Sequence, residues 1–398
     1  MFSSLKVKDF RLYWFGMLIS LVGTWIQATA QSWLVFQLTN SVFLLGLVAF
    51  LGSIPVFLLS LFGGVAADRI EKKKILLFTQ YAFMLLAFVL AVLTQFKLIT
   101  AWQIMVIAVL NGVVMSFDAP SRQAVIVDLV GKDNLPNAIA LNSAAFNSSR
   151  MIGPALAGIF IAVIGMSGCF YLNGISFMAA IIALSMIRIN TGAKRESKNF
   201  LYHDLMEGLK FIRRQRIIMI LMIMVGVTSL FGVSYATLMP VFANSILRVG
   251  VKGLGMLMSA SGVGALIAAL ILAGLGDFRH KGRLLIISAL VFSLSLVLFG
   301  VSHSYPFSLA ALMFLGWASV TAVSLINTSL QQLVPDEFRG RLMSVFMFTF
   351  AGFMPFGNLL SGVAAHNWGV SFTVALSGII CTLFFMAITI FFPDIKNI

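Results

Sequence analysis

Residues 42–95 read VFLLGLVAFLGSIPVFLLSLFGGVA (42–66), then ADRIEKKK (67–74), then ILLFTQYAFMLLAFVLAVLTQ (75–95). Each outer stretch exceeds twenty residues, carries no charge and lacks the strict alternation of a half-buried strand. At about 1.5 Å per residue, roughly twenty apolar residues in a helix span the hydrocarbon core of a bilayer. The segment between them holds Asp68, Arg69, Glu71, Lys72, Lys73 and Lys74, which lipid does not solvate. The stretch therefore predicts two membrane-crossing helices joined by a short charged turn in water.

The pattern recurs along the chain. Apolar runs occupy roughly 12–37, 42–66, 75–95, 102–123, 137–164, 167–188, 217–242, 253–275, 283–302, 306–331, 341–364 and 369–392. They predict an all-α membrane protein with twelve transmembrane helices. The alternating ten-residue segments of a membrane β-barrel are missing. Apolar residues make up 60% of the chain and charged residues 10%, against about 25% charged in soluble domains. In water such a surface would aggregate, whereas lipid solvates it.

The net charge is +14. Because the basic residues sit in short clusters between apolar runs, with no basic stripe, no nucleic-acid partner is expected. Cys169 and Cys381 lie singly in apolar runs, and His203, His280, His303 and His366 fall in loops or near helix ends. No metal site, disulfide or cofactor is expected. No Walker A loop or aspartyl-phosphate site supports direct use of ATP, and no clustered catalytic chemistry supports an enzyme. The first apolar run follows Lys6, Lys8 and Arg11, is too long for a signal peptide and has no small-residue cleavage site, so it reads as a retained helix.

Lysine and arginine concentrate on the cytoplasmic side of membrane proteins. With the N-terminus inside, 23 of the 27 basic residues fall in cytoplasmic segments, and Lys97, Arg248 and Lys252 fall outside. Both termini are thus expected in the cytoplasm. The polar stretch 189–216 divides the chain into a six-helix bundle over 1–188 and another over 217–398. Within it Leu201, Leu205, Leu209 and Ile212 recur on one face beside Lys210, Arg213 and Arg214, which suits a helix lying on the inner membrane surface. The halves echo each other. GGVAADRIEKKK (63–74) after helix 2 parallels AGLGDFRHKGR (273–283) after helix 8, with Asp277 in the second copy. Helix 5 carries Gly153, Pro154 and Gly158, and helix 11 carries Pro355, Gly357 and Gly362. Weak internal symmetry of this kind marks transporters built from repeats.

The loop GGVAADRIEKKK resembles the signature of the major facilitator superfamily, G-x-x-x-D-R-x-x-(R/K)-(R/K), with Gly64, Asp68, Arg69, Lys73 and Lys74 taken as its positions. The resemblance covers the whole chain. DAPSRQAVIVDLV (118–130), NLPNAIALNSAAFNSSRMIGPALAG (134–158) and LVPDEFRGRLMSVF (333–346) resemble the drug-efflux and siderophore-export branch, which includes the enterobactin exporter and macrolide efflux proteins. By resemblance, Asp68 caps the start of helix 11 near Gly340 and Arg341, where free N–H groups favour a negative charge. The basic residues from Arg69 to Lys74 are expected to pair with Asp118 at the inner end of helix 4, and Arg122, Arg339 and Arg341 complete an inner gate. Gly153, Pro154 and Gly158 resemble the proline–glycine motif of family exporters, in which small residues let helices approach closely.

Arg150 is the single charge deep in the membrane, near the midplane of helix 5 with Asn147 one turn before it. A charge there needs a partner or a wet cavity, so it is a candidate contact for an anionic or carbonyl-rich substrate and equally for a structural arginine. By resemblance helices 1, 4, 7 and 10 line the cavity. They offer Thr24, Gln27 and Gln31 on helix 1, Asn111 on helix 4, Tyr235 on helix 7, and Ser324 and Asn327 on helix 10. Abundant Phe and Met supply adaptable apolar walls.

The expected activity is proton-coupled efflux of amphipathic small molecules, drug-like or siderophore-like, by a monomeric antiporter in the bacterial inner membrane. Asp68 and Asp118 are the acids placed to titrate. A lysophospholipid or metabolite carrier of the same fold, and a membrane receptor or scaffold that does not transport, are the alternatives.

Overall fold

A computed structural model describes residues 3–187, 210–276, 278 and 280–397, without the side chains of Leu61, Asp68, Lys132, Asp336, Glu337 and Asn397. The described residues form helices and no strand. In chain order they are α1 (Lys8–Thr39), α2 (Val42–Arg69) and α3 (Lys72–Gln95), then an unbroken helical run over Ala101–Met186. That run turns at Gly131 (φ 69°) and Gly165 (φ 74°), a left-handed conformation that glycine adopts without a Cβ penalty. The two glycines cut it into α4 (101–130), α5 (132–164) and α6 (166–186). After the interruption come α7 (Arg216–Ile246), α8 (Gly250–Leu275), α9 (Lys281–Val301), α10 (Tyr305–Leu333), α11 (Asp336–Trp368) and α12 (Val370–Phe391). Among the described residues ten stretches are long and apolar enough to cross a membrane. Residues 133–186 count as one of these, and α1, which carries Gln27, Gln31 and Gln37, is not among them.

Several helices outrun their apolar stretches. Helix α4 continues seven residues beyond the expected end at 123, so the polar segment containing Asp128 is helical. Helix α11 begins at Asp336 instead of near Gly340, because Pro335 in an extended conformation (φ −55°, ψ 148°) followed by two acidic residues is a helix-start signal. Helix α7 contains two π turns, Thr228–Gly232 and Phe242–Ile246. Their wide bonds run from the Val233 N–H to the Thr228 carbonyl (3.1 Å) and from the Leu247 N–H to the Phe242 carbonyl (2.8 Å), flanking Pro240, which has no N–H to give. The amphipathic helix expected over 201–212 lies almost wholly outside the described residues, which begin again at 210.

The chain divides into two compact units. Unit 1 comprises 1–40, 51–198 and 251–255, and unit 2 comprises 41–50, 199–250 and 256–398. Each is held by close helix crossings at glycine. In unit 1 a Cβ on Gly112 of α4 would lie 2.4 Å from the Gly52 carbonyl of α2; in unit 2 a Cβ on Gly316 of α10 would lie 1.9 Å from the Ser261 carbonyl of α8. Lipid gives apolar side chains no reason to associate, so this close backbone contact, with its dispersion and polar gains, is what packs membrane helices. Each unit also takes in one helical turn from a distant part of the chain. In unit 1, Gly255 of α8 meets Gly158 and the Pro154 carbonyl of α5. In unit 2, Gly46 of α2 meets Gly362 and the Asn358 carbonyl of α11. The two contacts join the same pair of positions, fifth helix to second helix, in the internal repeat.

Replacing Gly316 by leucine is expected to cost about 1–3 kcal/mol through overpacking. Gly274→Ala, at a site with nothing within 4 Å of the added atom, is expected to be neutral or slightly stabilising. Thermal unfolding of the purified variants in one detergent checks both.

Candidate functional site

The most polar interior of unit 1 sits at the ends of α1, α3, α4 and α6, above a cluster of Phe10, Met17, Leu76, Val125, Ile126 and Leu184. Asp118 of α4 is fully buried there. Its carboxylate accepts hydrogen bonds from Thr79 Oγ1 (2.7 Å) and Gln80 Nε2 (2.8 Å) of α3. It forms an ion pair with Arg122 one turn along its own helix. Tyr13 of α1, 2% exposed, lies within electrostatic reach of both charges. Burying a carboxylate is tolerable only when it is paired and hydrogen-bonded, and this one has both.

Asp118 is therefore held by α3 and by Arg122, and the lysines expected to bind it go elsewhere. Lys72 pairs with Asp128 of α4 at 2.6 Å. Lys73 donates to the Ser185 and Ile187 carbonyls at the end of α6 (3.1 and 2.8 Å), where a cation meets the helix's negative pole. Lys74 pairs locally with Glu71 at 3.0 Å. The reach of each side chain explains the change: Lys72 and Lys73 stand in the first turn of α3 facing α4 and α6. Counting from Asp68, the paired basic positions of the signature fall at Lys72 and Lys73, one earlier than the reading above. The glycine that packing requires also differs. A Cβ on Gly63 would lie 1.9 Å from the Ser116 carbonyl, while one on Gly64 would meet nothing within 4 Å. Arg69 closes α2; the side chain of Asp68 and all of Asp277 lie outside the described residues. In unit 2 the arrangement recurs with one change. Buried Lys281, in the first turn of α9, donates to Gln332 Oε1 near the end of α10 at 2.8 Å, an amide standing where the first half has Asp128. Arg339 is exposed, and Arg341 lies over the Phe338 ring at 5.5 Å.

On α5, Gly153 lets α1 approach until its missing Cβ would lie 2.4 Å from that of Trp25. Trp25 and Phe146 meet edge to face with centroids 5.9 Å apart. Arg150 and Asn147, both partly exposed, stand between Phe146 and Gly153, so they share the level of Trp25 along α1. Asn147 donates to the Ser143 carbonyl at 2.9 Å.

The polar residues expected to line a cavity separate into two sets. Thr24 is exposed, and Gln31, Asn111, Ser324 and Asn327 are partly exposed. Gln27 is buried and accepts a hydrogen bond from Asn173 of α6 at 2.8 Å. At 100° per residue Gln27 lies about 60° from Thr24 around the helix, which is enough to turn it from their shared stripe into the neighbouring helix. Tyr235 is also buried, its hydroxyl 3.2 Å from Ser261 Oγ of α8. Asn327 accepts from Gln331 Nε2 at 2.6 Å. Residues that the sequence reading missed include Asp128, Thr79, Gln80 and Asn173. For Thr79, Gln80 and Asn173, polar side chains inside apolar runs were the available signal, since each needs a partner there.

The sequence matches, over residues 1–397, the family described as transmembrane secretion effector. The chain belongs to that family. The Staphyloferrin A transporter of Staphylococcus aureus is 28% identical over 90% of this chain and 90% of its own length. The multidrug efflux pump Tap of Mycolicibacterium fortuitum is 23% identical over 96% of this chain and 95% of its own. Among solved structures a peptide transporter POT variant superposes with TM-score 0.76 at 12% identity, covering 98% of this chain and 95% of that one. The protein is accordingly a multi-pass membrane transporter with the major facilitator fold, not an enzyme.

Asp118→Ala would remove the fully buried member of the pair, leaving Thr79 and Gln80 without their acceptor and Arg122, 20% exposed, without its counter-charge, a loss of about 1–3 kcal/mol. Asp128→Ala breaks a pair whose side chains are 23% and 19% exposed, which costs about 1 kcal/mol or less. Melting curves of the two variants in one detergent should rank them in that order.

Proposed function

We propose that the protein exports amphipathic small molecules with an anionic or carbonyl-rich portion, driven by protons, through alternating access. It works as a monomer in the bacterial cytoplasmic membrane, with all twelve helices spanning and both termini inside. The single observation that carries the substrate class is Arg150, a partly exposed cation in the middle of α5 beside Asn147. A guanidinium offers a fork of donors that suits carboxylates and other planar oxygen pairs. Names of relatives that include a siderophore transporter and a drug pump support the same class. A fixed cation at this depth is a poor host for cationic drugs.

For coupling, Asp68 and Asp118 are the acids we assign to conformational gating. The signature loop, with Asp68, Arg69, Lys72 and Lys73, stabilises one inner-end arrangement. Buried Asp118, held by Thr79, Gln80 and Arg122, supports a part in that arrangement.

In a deletion strain carrying each variant, Arg150→Met is expected to reduce export of anionic substrates about tenfold or more, the value of a charge-assisted hydrogen bond of roughly 1.5–3 kcal/mol. Neutral drugs should be little affected. Comparison of secreted siderophore with drug resistance checks this, and an equal loss for every substrate removes Arg150 from the recognition site. Asp68→Asn should be expressed normally and carry no substrate-dependent proton flux in proteoliposomes. Normal flux in that variant contradicts the gating assignment.

A further inference from the structure

The inner end of unit 2 carries a second organised surface, outside the signature loop. A short helical turn over 210–214 precedes α7. It exposes Lys210, Arg213 and Arg214 and buries Ile212. Its Phe211 ring stacks on Phe338 in the first turn of α11, with centroids 4.7 Å apart and planes 12° from parallel. Arg341 lies over that same Phe338 ring, 5.5 Å from its centre. Arg216 opens α7 and lies 4.7 Å over the ring of Phe392, the residue after α12. These contacts fix the start of α7, the start of α11 and the end of α12 at one level. Arg339 and Lys396 stand exposed at the same helix ends.

The position of this level matters. Arg216 is the first residue of one membrane-crossing stretch, and Phe392 directly follows the last residue of another. The cations therefore stand where hydrocarbon gives way to lipid headgroups. Against these seven cations the local sequence offers Glu207, Asp336, Glu337 and Asp394, so positive charge predominates. Two of the guanidinium groups, those of Arg216 and Arg341, are oriented on aromatic rings, which keep a cation at the interface. A single surface basic cluster is explained by orientation rules alone. Aromatic anchors that hold the cations in a fixed array go beyond that requirement and suit a phosphate-bearing partner.

We propose that this array binds the headgroups of anionic phospholipids, joining α7, α11 and α12 through a shared lipid phosphate. The occupant is a membrane lipid and not a soluble anion, because Phe211, Phe338 and Phe392 hold the cations at the edge of the apolar stretches, where acyl chains are adjacent. Bound lipid bridges helix ends that are far apart in sequence and so stabilises unit 2. The attraction is electrostatic and weakens with salt, with a screening length of about 8 Å at physiological ionic strength.

The test uses the full chain in a mild detergent. Its melting temperature is measured with added phosphatidylglycerol, with phosphatidylcholine of the same chain length, and with inorganic phosphate. Phosphatidylglycerol should raise the melting temperature by several degrees, with the rise shrinking in high salt, while the other two additives do little. The combined variant Arg213→Gln, Arg214→Gln, Arg216→Gln should lose at least half of that rise. Phe338→Ala, which leaves the charge count unchanged, should also lose a clear part. Equal shifts from phosphatidylcholine, an equal shift from inorganic phosphate, or an unchanged response in both variants overturns the proposal. If either variant fails to fold, wild-type protein reconstituted in phosphatidylcholine vesicles with and without phosphatidylglycerol still decides it by the same melting comparison.

Discussion

The ion pair between Asp118 and Arg122 concentrates the problem this fold has to solve. Hydrocarbon neither hydrates a charge nor supplies a hydrogen bond, so a carboxylate in the interior is stable only with its partners built in. Placing the arginine one helical turn from the aspartate keeps the pair together through any movement of the neighbouring helices. Thr79 and Gln80 then fix α3 to α4, and Tyr13 brings α1 to the same spot. The polar cluster lies directly on a tightly packed apolar one, so the interior of unit 1 is specified by direction as well as by volume.

Where the sequence was legible, it was because lipid imposes a simple rule. Apolar runs of sufficient length, with basic clusters between them, dictated the helices, and the signature loop pointed to the superfamily. The finer points resisted for physical reasons. Helix ends at Asp128 and Asp336 sit in water, where composition no longer constrains length. The partner of a lysine depends on which way the first turn of α3 faces, and this separates Lys72, bound to Asp128, from Lys74, bound to Glu71. A stripe of polar residues on α1 splits because Gln27 turns about 60° from Thr24 and finds Asn173 on α6. Periodicity carries no information about the neighbour that a buried amide will choose.

The internal repeat is preserved in geometry more faithfully than in chemistry. Lys72 with Asp128 and Lys281 with Gln332 occupy matching places at the starts of α3 and α9. One pair is ionic and the other joins an ammonium to a neutral amide.

The two glycine crossings, Gly158 with Gly255 and Gly46 with Gly362, reach beyond packing into heredity. A glycine codon changes by any single missense base to a residue that carries a Cβ, and at Gly46, Gly255 and Gly362 backbone atoms lie within 3.0 Å of where that carbon would go, while at Gly158 the nearest is 3.1 Å away. The two halves thus differ where a lysine meets its partner, Asp128 in one and Gln332 in the other, and agree where backbone meets backbone, so a single base change is felt most at the crossings.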